Sequence, residues 1–444
     1  MGKTDPGRGA VDWREHYESR MVTPEAIVEK VASGDRVYIA TGHECPALVG
    51  ALLGRAYELK GVQIRRISSF WEDYGIFTDE WSSTLRLNVS FATPSSRSAI
   101  AEGIVDYTVV GFGDLQRHID QGRSGSTGYD HCWFTATPPD ENGFCSVGAE
   151  LWDLKTGMAH SKVKAVGINS HLPRTFGDTL VHVSEIDCFF NYDEPAAHRM
   201  RRGPGPAAKA IAQHVSTLVC SGDTVEIGAG TTTFALAELG AFDGKEDIGF
   251  FSETAAPGIL DLVKRGIVTS KRATLHPGKF VTTGLTALGP EDWDYVNENP
   301  FFEFHNYDYV LNPTVIAQND NMVAINNALA IDLKGQVAVS SIGPRLLAGS
   351  GGQLSFHTGA FLSKGGRAVT VLPSTTSEGS VSRIVHQHPQ GQVVTVPWDL
   401  ADTVVTEYGV AELLGKTMRE RAEALIAIAH PDQRPELEEA ARNL

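Results

Sequence analysis

The chain has 444 residues, of which 42% are apolar and 21% charged, and its formal net charge is −16. This length exceeds what one ordinary hydrophobic core fills, so it predicts two domains. The composition is that of a soluble globular protein. Because lysine and arginine are scattered rather than clustered, the charge pattern argues against a nucleic-acid surface and favours a soluble cytoplasmic enzyme.

The cysteines are widely dispersed along the sequence, at Cys45, Cys132, Cys145, Cys188 and Cys220. They form no Cys-x-x-Cys pair and no Cys/His pairing at metal-ligand spacing. We therefore expect free thiols in a reducing compartment and no metal ion. No apolar run approaches the roughly 18 residues of a membrane span. Residues 1–11 lack an apolar signal core and are predicted to form a mobile tail.

One phrase occurs twice, at residues 31–42 and 219–230. Both copies contain a Gly-Asp turn, an apolar strand and a closing glycine, with Val, Ser, Gly, Asp, Val, Ile and Gly in register. A helix is predicted after each copy. A short phrase can recur by chance, but recurrence at equivalent places in two halves indicates an internal duplication.

Predicted strands and helices alternate through both halves, which favours an α/β fold with mainly parallel strands. The predicted strands cover residues 36–40, 62–68, 87–91, 105–110, 132–136, 164–168, 310–312, 322–325, 336–340 and 368–372. The predicted helices cover residues 12–30, 46–57, 234–239, 257–265, 418–429 and 435–442. The predicted organisation is a tail at 1–11, an N-terminal domain at 12–195, a linker at 196–208 and a C-terminal domain at 209–444.

A single glutamate, Glu253, lies in an apolar and small-residue stretch at residues 249–255. The stretch follows a glycine-rich turn and precedes a predicted helix. A carboxylate with such neighbours is poorly solvated unless it reacts or is paired. The alternative is a surface acid stabilised by the dipole of the following helix. The flanking phenylalanines and alanines favour a reactive group.

Glycine turns follow predicted strands at residues 228–230, 349–353 and 364–366. Any one of them taken alone is more often a tight connection than a functional loop. Together with Glu253 they indicate bare N–H groups that suit an oxyanion or a phosphate. The chain contains no Gly-x-Ser-x-Gly elbow and no phosphate loop of the nucleotide hydrolases. A dinucleotide fold is weakly supported, since the third glycine of its fingerprint is missing.

Several longer stretches match one known family, at residues 138–148, 169–178, 181–187, 276–279, 317–323, 351–353, 363–366, 405–409 and 421–431. With Glu253 and the glycine turns, they make the chain resemble the acetyl-CoA hydrolase/CoA-transferase family. The resemblance covers nearly the whole chain and is closest to the 4-hydroxybutyrate CoA-transferase-like branch.

The resemblance implies two related CoA-transferase-type α/β domains with the active site between them, in a homodimer. It implies that Glu253 is the catalytic nucleophile, which passes through a glutamyl-CoA thioester. Coenzyme A, supplied as acyl-CoA, and a small carboxylic acid are the implied substrates. The implied CoA-binding residues are Gly228, Ala229, Gly230, Thr231, Thr232, Gly349, Gly351 and Gly352. The Ala229 N–H and the second glycine loop are the implied oxyanion donors.

The sequence also departs from the branch near these residues. After the nucleophile it has Thr-Ala-Ala-Pro-Gly at 254–258, where the branch has Met-Phe-Ser-Asp-Gly. Ser355 and Ala330 stand where the family has carboxylates, and residues 70–74 are unusually aromatic. We expect the nucleophile to be kept and the acyl pocket to be altered, so that an unusual or larger acid is accepted.

Two further functions stay open beside a CoA-transferase. An acyl-CoA hydrolase would use the same nucleophile, and water would complete the turnover. A non-catalytic acyl-CoA-binding protein would keep the fold but not the chemistry. The sequence does not decide whether Gln318, Asn321, His276 or Lys364 contacts CoA.

Overall fold

Two large and mainly parallel β-sheets organise the chain. The computed structural model describes residues 12–70, 74–75, 78–111, 119, 127–195, 203–255, 258–285, 290–376 and 379–442. The predicted tail and residues 196–202 of the predicted linker lie outside the described residues. The same holds for residues 71–73 of the aromatic run and for residues 256–257 after the glutamate.

The first half supplies ten strands in the described ranges, seven of which form one sheet in the order β10-β7-β5-β1-β2-β3-β4. These strands are β1 (Arg36–Ile39), β2 (Val62–Arg65), β3 (Leu85–Val89), β4 (Asp106–Tyr107), β5 (Tyr129–Ala136), β6 (Phe144–Ser146), β7 (Ser161–Ile168), β8 (Phe176–Gly177), β9 (Leu180–His182) and β10 (Cys188–Asn191). Strands β6 and β9 pair as a small antiparallel ribbon, and β8 joins the sheet of the other half.

The second sheet has the order β23-β22-β20-β15-β11-β12-β13-β14-β8. Its half contains β11 (Thr224–Ile227), β12 (Gly249–Thr254), β13 (Phe280–Gly284), β14 (Phe302–Phe304), β15 (Met322–Asn327), β16 (Ala330–Asp332), β17 (Val337–Ala338), β18 (Ser341–Ile342), β19 (Arg345–Leu346), β20 (Arg367–Val371), β21 (Ile384–Val385), β22 (Thr403–Thr406) and β23 (Gly409–Glu412). Only the β22–β23 pair of this sheet is antiparallel within the described residues.

Short helices connect the strands, as expected for parallel sheets. They are α1 (Trp13–Ser19), α2 (Pro24–Val28), α3 (Pro46–Gly54), α4 (Asp79–Ser82), α5 (Arg97–Ala101), α6 (Leu154–Ala159), α7 (Ala208–Leu218), α8 (Ile259–Lys264), α9 (Pro290–Val296), α10 (Tyr307–Val310), α11 (Pro313–Ile316), α12 (Gln353–Leu362), α13 (Met418–Ala427) and α14 (Arg434–Ala441). Within the described ranges, no helix is long and apolar enough to cross a membrane.

The two sheets repeat one topology. Strand β1 lies between β5 and β2, and strand β11 lies between β15 and β12. The order β10-β7-β5-β1-β2-β3-β4 of the first sheet corresponds strand by strand to β22-β20-β15-β11-β12-β13-β14 of the second. The repeated sequence phrases form these two central strands and the turns beside them. The predicted α/β fold of two related halves is therefore confirmed, and the duplication has a structural counterpart.

Strand β12 is buried on both faces apart from one position. Five of its six residues are buried, and the partly exposed one is Glu253. On one face Phe250 stacks on Phe280 with ring centroids 4.1 Å apart. On the other face Phe251 joins an apolar cluster with Phe356 of α12. Because both faces are packed, the strand holds the glutamate in a fixed place at the carboxyl edge of the sheet.

Three local predictions are wrong. The single helix expected at 12–30 is two helices, α1 and α2, because Thr23 caps a new helix that Pro24 begins. The strand expected at 310–312 is the end of α10 and the turn after it, because Pro313 begins the next helix and favours a break before it. The helix expected at 234–239 is only a 3₁₀ turn, Thr233–Ala235. There the Thr233 hydroxyl donates to the Gly228 carbonyl at 2.6 Å, which ties the chain back onto the glycine turn.

The prediction of free thiols is borne out for all five cysteines, none of which is in a disulfide. Four of them are buried and Cys220 is exposed. Burial raises the pKa of the Cys145 thiol to about 12, so this group stays protonated at neutral pH.

Candidate active site

The carboxylate of Glu253 is held by two neutral donors. The Tyr307 hydroxyl, at the start of α10, donates to Oε1 at 2.9 Å. The Gly352 N–H, just before α12, donates to Oε2 at 2.7 Å. Burial raises the pKa of this carboxyl above its ordinary value, and the two hydrogen bonds offset part of that rise. No cation is hydrogen-bonded to this carboxylate in the described part of the chain.

The backbone of Glu253 is fixed as well. Its carbonyl accepts hydrogen bonds from the Thr282 hydroxyl at 3.2 Å and the Thr283 hydroxyl at 2.5 Å. Both threonines lie on β13, which pairs with β12 in parallel register. The carboxylate therefore stands on a rigid strand end, and its orientation is set by groups from three separate elements.

The second glycine loop fits closely against this carboxylate. A Cβ atom at Gly352 would lie 2.5 Å from Glu253 Oε2 and 3.1 Å from the Phe356 ring. Gly351 has φ of +51°, a conformation that side chains rarely adopt. The Gly352 N–H reaches the carboxylate, and a Cβ atom on Gly351 would lie 3.6 Å from its Oε2. The two predicted residues are therefore brought to the glutamate.

Gly349 of the same loop has a different neighbourhood. A Cβ atom there would lie 2.7 Å from the Ser90 carbonyl and 2.8 Å from the Phe91 ring. Arg97 Nε donates to the Leu347 carbonyl at 2.7 Å nearby. This glycine packs the second half against the first, which makes a close backbone approach its evident structural role.

The first glycine turn leaves β11 beside Glu253. The Gly228 N–H donates to the Ile325 carbonyl at 2.9 Å, and a Cβ atom at Gly228 would collide with the Asn326 side chain. Ala229 and Thr231 are exposed, Gly230 is half-buried and Thr232 is buried. Among the described residues, no acceptor is hydrogen-bonded to the Ala229 N–H. That donor is available to a ligand.

A second carboxyl lies beneath this turn. Glu226 is 1% exposed, and its Oε2 accepts a hydrogen bond from Asn326 Nδ2 at 2.7 Å. Burial, and then repulsion from Glu253, raise the pKa of Glu226 well above its ordinary value. Of the two carboxyls, Glu226 therefore keeps its proton to the higher pH.

The first half closes the site through residues 150–152. The Leu151 and Trp152 N–H groups donate to the Thr283 carbonyl at 2.9 and 3.1 Å, and the Tyr307 N–H donates to the Trp152 carbonyl at 2.8 Å. The Trp152 and Tyr307 rings are 6.4 Å apart. Phe91 reaches within 3.9 Å of the position a Cβ would take on Gly351. Aromatic side chains from both halves therefore flank the glutamate.

The amide run and the lysine singled out in the sequence lie elsewhere. Gln318 and Asn321 precede β15, and Lys364 precedes β20. Glu253 is near the carboxyl end of β12, so these residues lie at the opposite, amino edge of the same parallel sheet. Gln318 donates to the Thr314 carbonyl at 3.0 Å, and Lys364 forms a surface ion pair with Asp320 at 3.6 Å.

Two residues of the site were missed by the sequence analysis, Tyr307 and Glu226. Tyr307 lies 54 positions from Glu253 in a short helix, and no periodic pattern marks it. A signal was present for Glu226, which is an acid inside an apolar strand before a glycine turn. Of the departures from the family pattern, Ser355 is buried on α12 and Ala330 lies on β16, away from the glutamate's strand.

Comparison with known proteins identifies the family. The model of the acetyl-CoA hydrolase/transferase N-terminal domain matches residues 8–197, and that of the C-terminal domain matches residues 290–441. The chain belongs to the acetyl-CoA hydrolase/transferase family, as the motifs predicted.

Its full-length relatives place it among the transferases. The chain is 37% identical to the 4-hydroxybutyrate coenzyme A transferase of Clostridium kluyveri, over 96% of this chain and 98% of that protein. It is 34% identical to the succinyl-CoA:cyclohexane-1-carboxylate CoA transferase of Geobacter metallireducens, over 97% of each chain. The structure of RipA from Yersinia pestis superposes with a TM-score of 0.90 at 31% identity, over 98% of this chain and 99% of that one. The protein is an enzyme of the CoA-transferase class.

Proposed function

We propose that this enzyme moves CoA between an acyl-CoA and a carboxylic acid through a covalent glutamyl-CoA thioester at Glu253. The observation that carries the proposal is that this carboxylate is held by neutral hydrogen-bond donors alone. It is held at the carboxyl edge of the sheet, between the two halves, by the Tyr307 hydroxyl and the Gly352 N–H, and no cation neutralises it in the described residues.

The exchange proceeds in two halves. A Glu253 oxygen attacks the thioester carbonyl, the C–S bond breaks, and a mixed acyl-glutamyl anhydride and CoA thiolate form. The thiolate then attacks the glutamyl carbonyl, which releases the first acid and leaves the glutamyl-CoA thioester. The second acid reverses these steps. Thiolate and carboxylate exchange without any net proton transfer, so the chemistry requires neither a metal nor an external base.

The surroundings of Glu253 suit these steps. Its raised pKa makes the ionised carboxylate more basic and therefore a better nucleophile, while Tyr307 and Gly352 keep it ionisable. The Ala229 N–H is the proposed donor for one tetrahedral oxyanion, and Gly351 with Gly352 forms the second donor loop. The turn at Gly228, Gly230, Thr231 and Thr232 is proposed to bind CoA. Gly349 is proposed to hold this cleft closed.

The acyl pocket favours an apolar acid. Phe91, Trp152 and Tyr307 surround the glutamate with aromatic surface. A relative acting on cyclohexane-1-carboxylate supports an acid larger than acetate. We therefore propose a monocarboxylic acid with an apolar aliphatic or alicyclic chain as the preferred acceptor.

Transfer is favoured over hydrolysis because the relatives that match over the full chain are named CoA-transferases. We also propose a cytoplasmic homodimer, supported by the family resemblance and the free thiols. Light scattering coupled to size exclusion would test the dimer.

Isotope exchange tests the proposed reaction. Labelled carboxylic acid is incubated with unlabelled acyl-CoA and the enzyme, and label is measured in the acyl-CoA pool. The proposed function predicts label incorporation that disappears in Glu253→Gln. Free CoA without incorporation would identify a hydrolase, and acyl-CoA binding without either product would identify a binding protein. Both results would contradict the proposal.

A further inference from the structure

Three potential metal ligands converge on β14 and the loop before β13, outside the CoA site. They are His276, Glu303 and His305. One ligand atom of each lies within 4.8 Å of the others. Glu303 Oε2 is 3.0 Å from His276 Nδ1 and 3.4 Å from His305 Nε2. For metal–ligand bonds of about 2.0–2.1 Å, a tetrahedral zinc site has ligand atoms roughly 3.3 Å apart. The two measured distances match this value.

The far nitrogen of each imidazole also has a partner. His305 Nδ1 is 3.2 Å from Asp178 Oδ2, and His276 Nε2 is 2.7 Å from the Tyr309 hydroxyl oxygen. Metal-bound histidines in proteins regularly donate their second N–H to a carboxylate, carbonyl or water, which fixes ring orientation and tautomer. Here the outer partners aim both inner nitrogens at the same glutamate oxygen.

The glutamate has an oxygen left for a metal. Lys279 Nζ is 3.3 Å from Glu303 Oε1, so the lysine takes the oxygen that faces away from the imidazoles. The three side chains are only about one-fifth exposed, at 21%, 20% and 16%. The ligand atoms are therefore partly accessible from solvent. Two imidazoles and one carboxylate with an open position form a ligand set that zinc and its neighbours in the periodic table prefer.

We propose that His276, Glu303 and His305 bind one zinc-type divalent ion, with water as the fourth ligand. No motif spacing predicts this site, because the ligands are separated by 27 and then 2 positions. The ion takes no part in CoA transfer. It ties the loop before β13 to the segment that enters α10, where Tyr307 holds the nucleophile.

Cobalt(II) titration tests the site without any activity assay. The full-length protein is stripped with a chelator and titrated with Co²⁺, and the visible d–d absorption is followed. We expect one equivalent to bind, with the intense absorption of a tetrahedral site, and Zn²⁺ to displace it. His276→Ala and His305→Ala should abolish this absorption. His171→Ala, which removes an exposed histidine outside the cluster, should leave it unchanged.

A second variant covers the case in which the alanine variants unfold. Tyr309→Phe removes only the outer partner of His276 and should weaken Co²⁺ binding about 10–100-fold. Absence of a one-equivalent Co²⁺ complex in the wild-type protein would overturn the proposal. So would equal Co²⁺ affinity in wild type and Tyr309→Phe. In either case the three side chains form a hydrogen-bonded network only.

Discussion

The two halves share one strand order, but the charged residue near the end of the second strand has different partners in each half. After β2, the Arg66 side chain is completely buried and pairs with Glu44 at 2.8 Å, and it lies 4.4 Å from the Phe70 ring. Near the end of β12, Glu253 has only neutral donors. A buried charge matched by an opposite charge is a structural group, whereas a carboxylate held by neutral donors keeps its capacity to react.

The turns after the two central strands differ in the same sense. In the first half, Thr41, which matches Ala229 in the repeated phrase, is 6% exposed, so the chain itself covers that turn. In the second half, Ala229 is exposed and its N–H is available. One copy of the duplicated unit is covered at this turn, and the other leaves a backbone donor exposed beside Glu253.

The largest effect is expected from Glu253→Gln. The amide oxygen can still accept from the Gly352 N–H, and the amide NH₂ can donate to the Tyr307 hydroxyl, but the amide cannot attack a thioester. We expect kcat to fall by a factor on the order of 10⁴ or more, as when other covalent nucleophiles are removed. Steady-state kinetics with acyl-CoA and a monocarboxylic acid measures it. A loss below tenfold would place the nucleophile elsewhere.

The matched change in the first half is Arg66→Met. It breaks the buried Arg66–Glu44 ion pair by removing the guanidinium, so the free energy of unfolding should fall by about 3–5 kcal/mol. Turnover per folded molecule should stay near the wild-type value. Denaturant unfolding and active-site titration measure the two quantities. Loss of turnover with unchanged stability would contradict the structural role assigned to Arg66.

Gly352→Ala comes next. The added Cβ would lie 2.5 Å from Glu253 Oε2, so the donor loop must shift away from the carboxylate. We expect kcat to fall about 10²–10³-fold, the usual effect of losing one such donor. Gly50→Ala in α3 is the control, because a Cβ there meets nothing within 4 Å. Equal kcat values for the two variants would refute the role of the loop.

Tyr307→Phe is expected to act through the pH profile. The hydroxyl stabilises the ionised carboxylate and so lowers the pKa of Glu253; its removal should raise that pKa. Activity needs the ionised form, so the acidic limb of kcat/KM should move to higher pH. A pH profile that keeps its acidic limb in place would show that the hydrogen bond has no influence on ionisation.

Glu226→Gln should have little effect on turnover, because the raised pKa favours a protonated, neutral native group that the amide resembles. Its folded pKa is raised above the unfolded one, so wild-type stability is lost as pH rises above the unfolded value. The variant has no ionisable group at this position, so its stability does not fall with rising pH for this reason. Its melting temperature should therefore exceed that of the wild type by a margin that grows as the pH rises above the unfolded pKa of a glutamate, about 4.3. A constant margin would mean that Glu226 is ionised in the folded protein.

These comparisons also show what the sequence could reveal. Glu253 and the turn at Gly228 were predictable, because an acid in an apolar strand and glycines after a strand are local signals. Tyr307 was not, since its contact with Glu253 depends on how α10 packs over β12. The packing of Gly349 against Ser90 and the convergence of His276 on Glu303 likewise arise only when distant segments meet. Signals within a few residues of each other can be recognised in the sequence, whereas contacts between distant segments depend on the tertiary structure.

The most direct test of the covalent account is to trap the enzyme thioester. The protein is incubated with acyl-CoA, reduced with borohydride and digested, and the peptide containing residues 249–258 is examined by mass spectrometry. The account predicts that the Glu253 side chain is reduced to an alcohol only when acyl-CoA is present. An unmodified Glu253 peptide from enzyme that is turning over would contradict it.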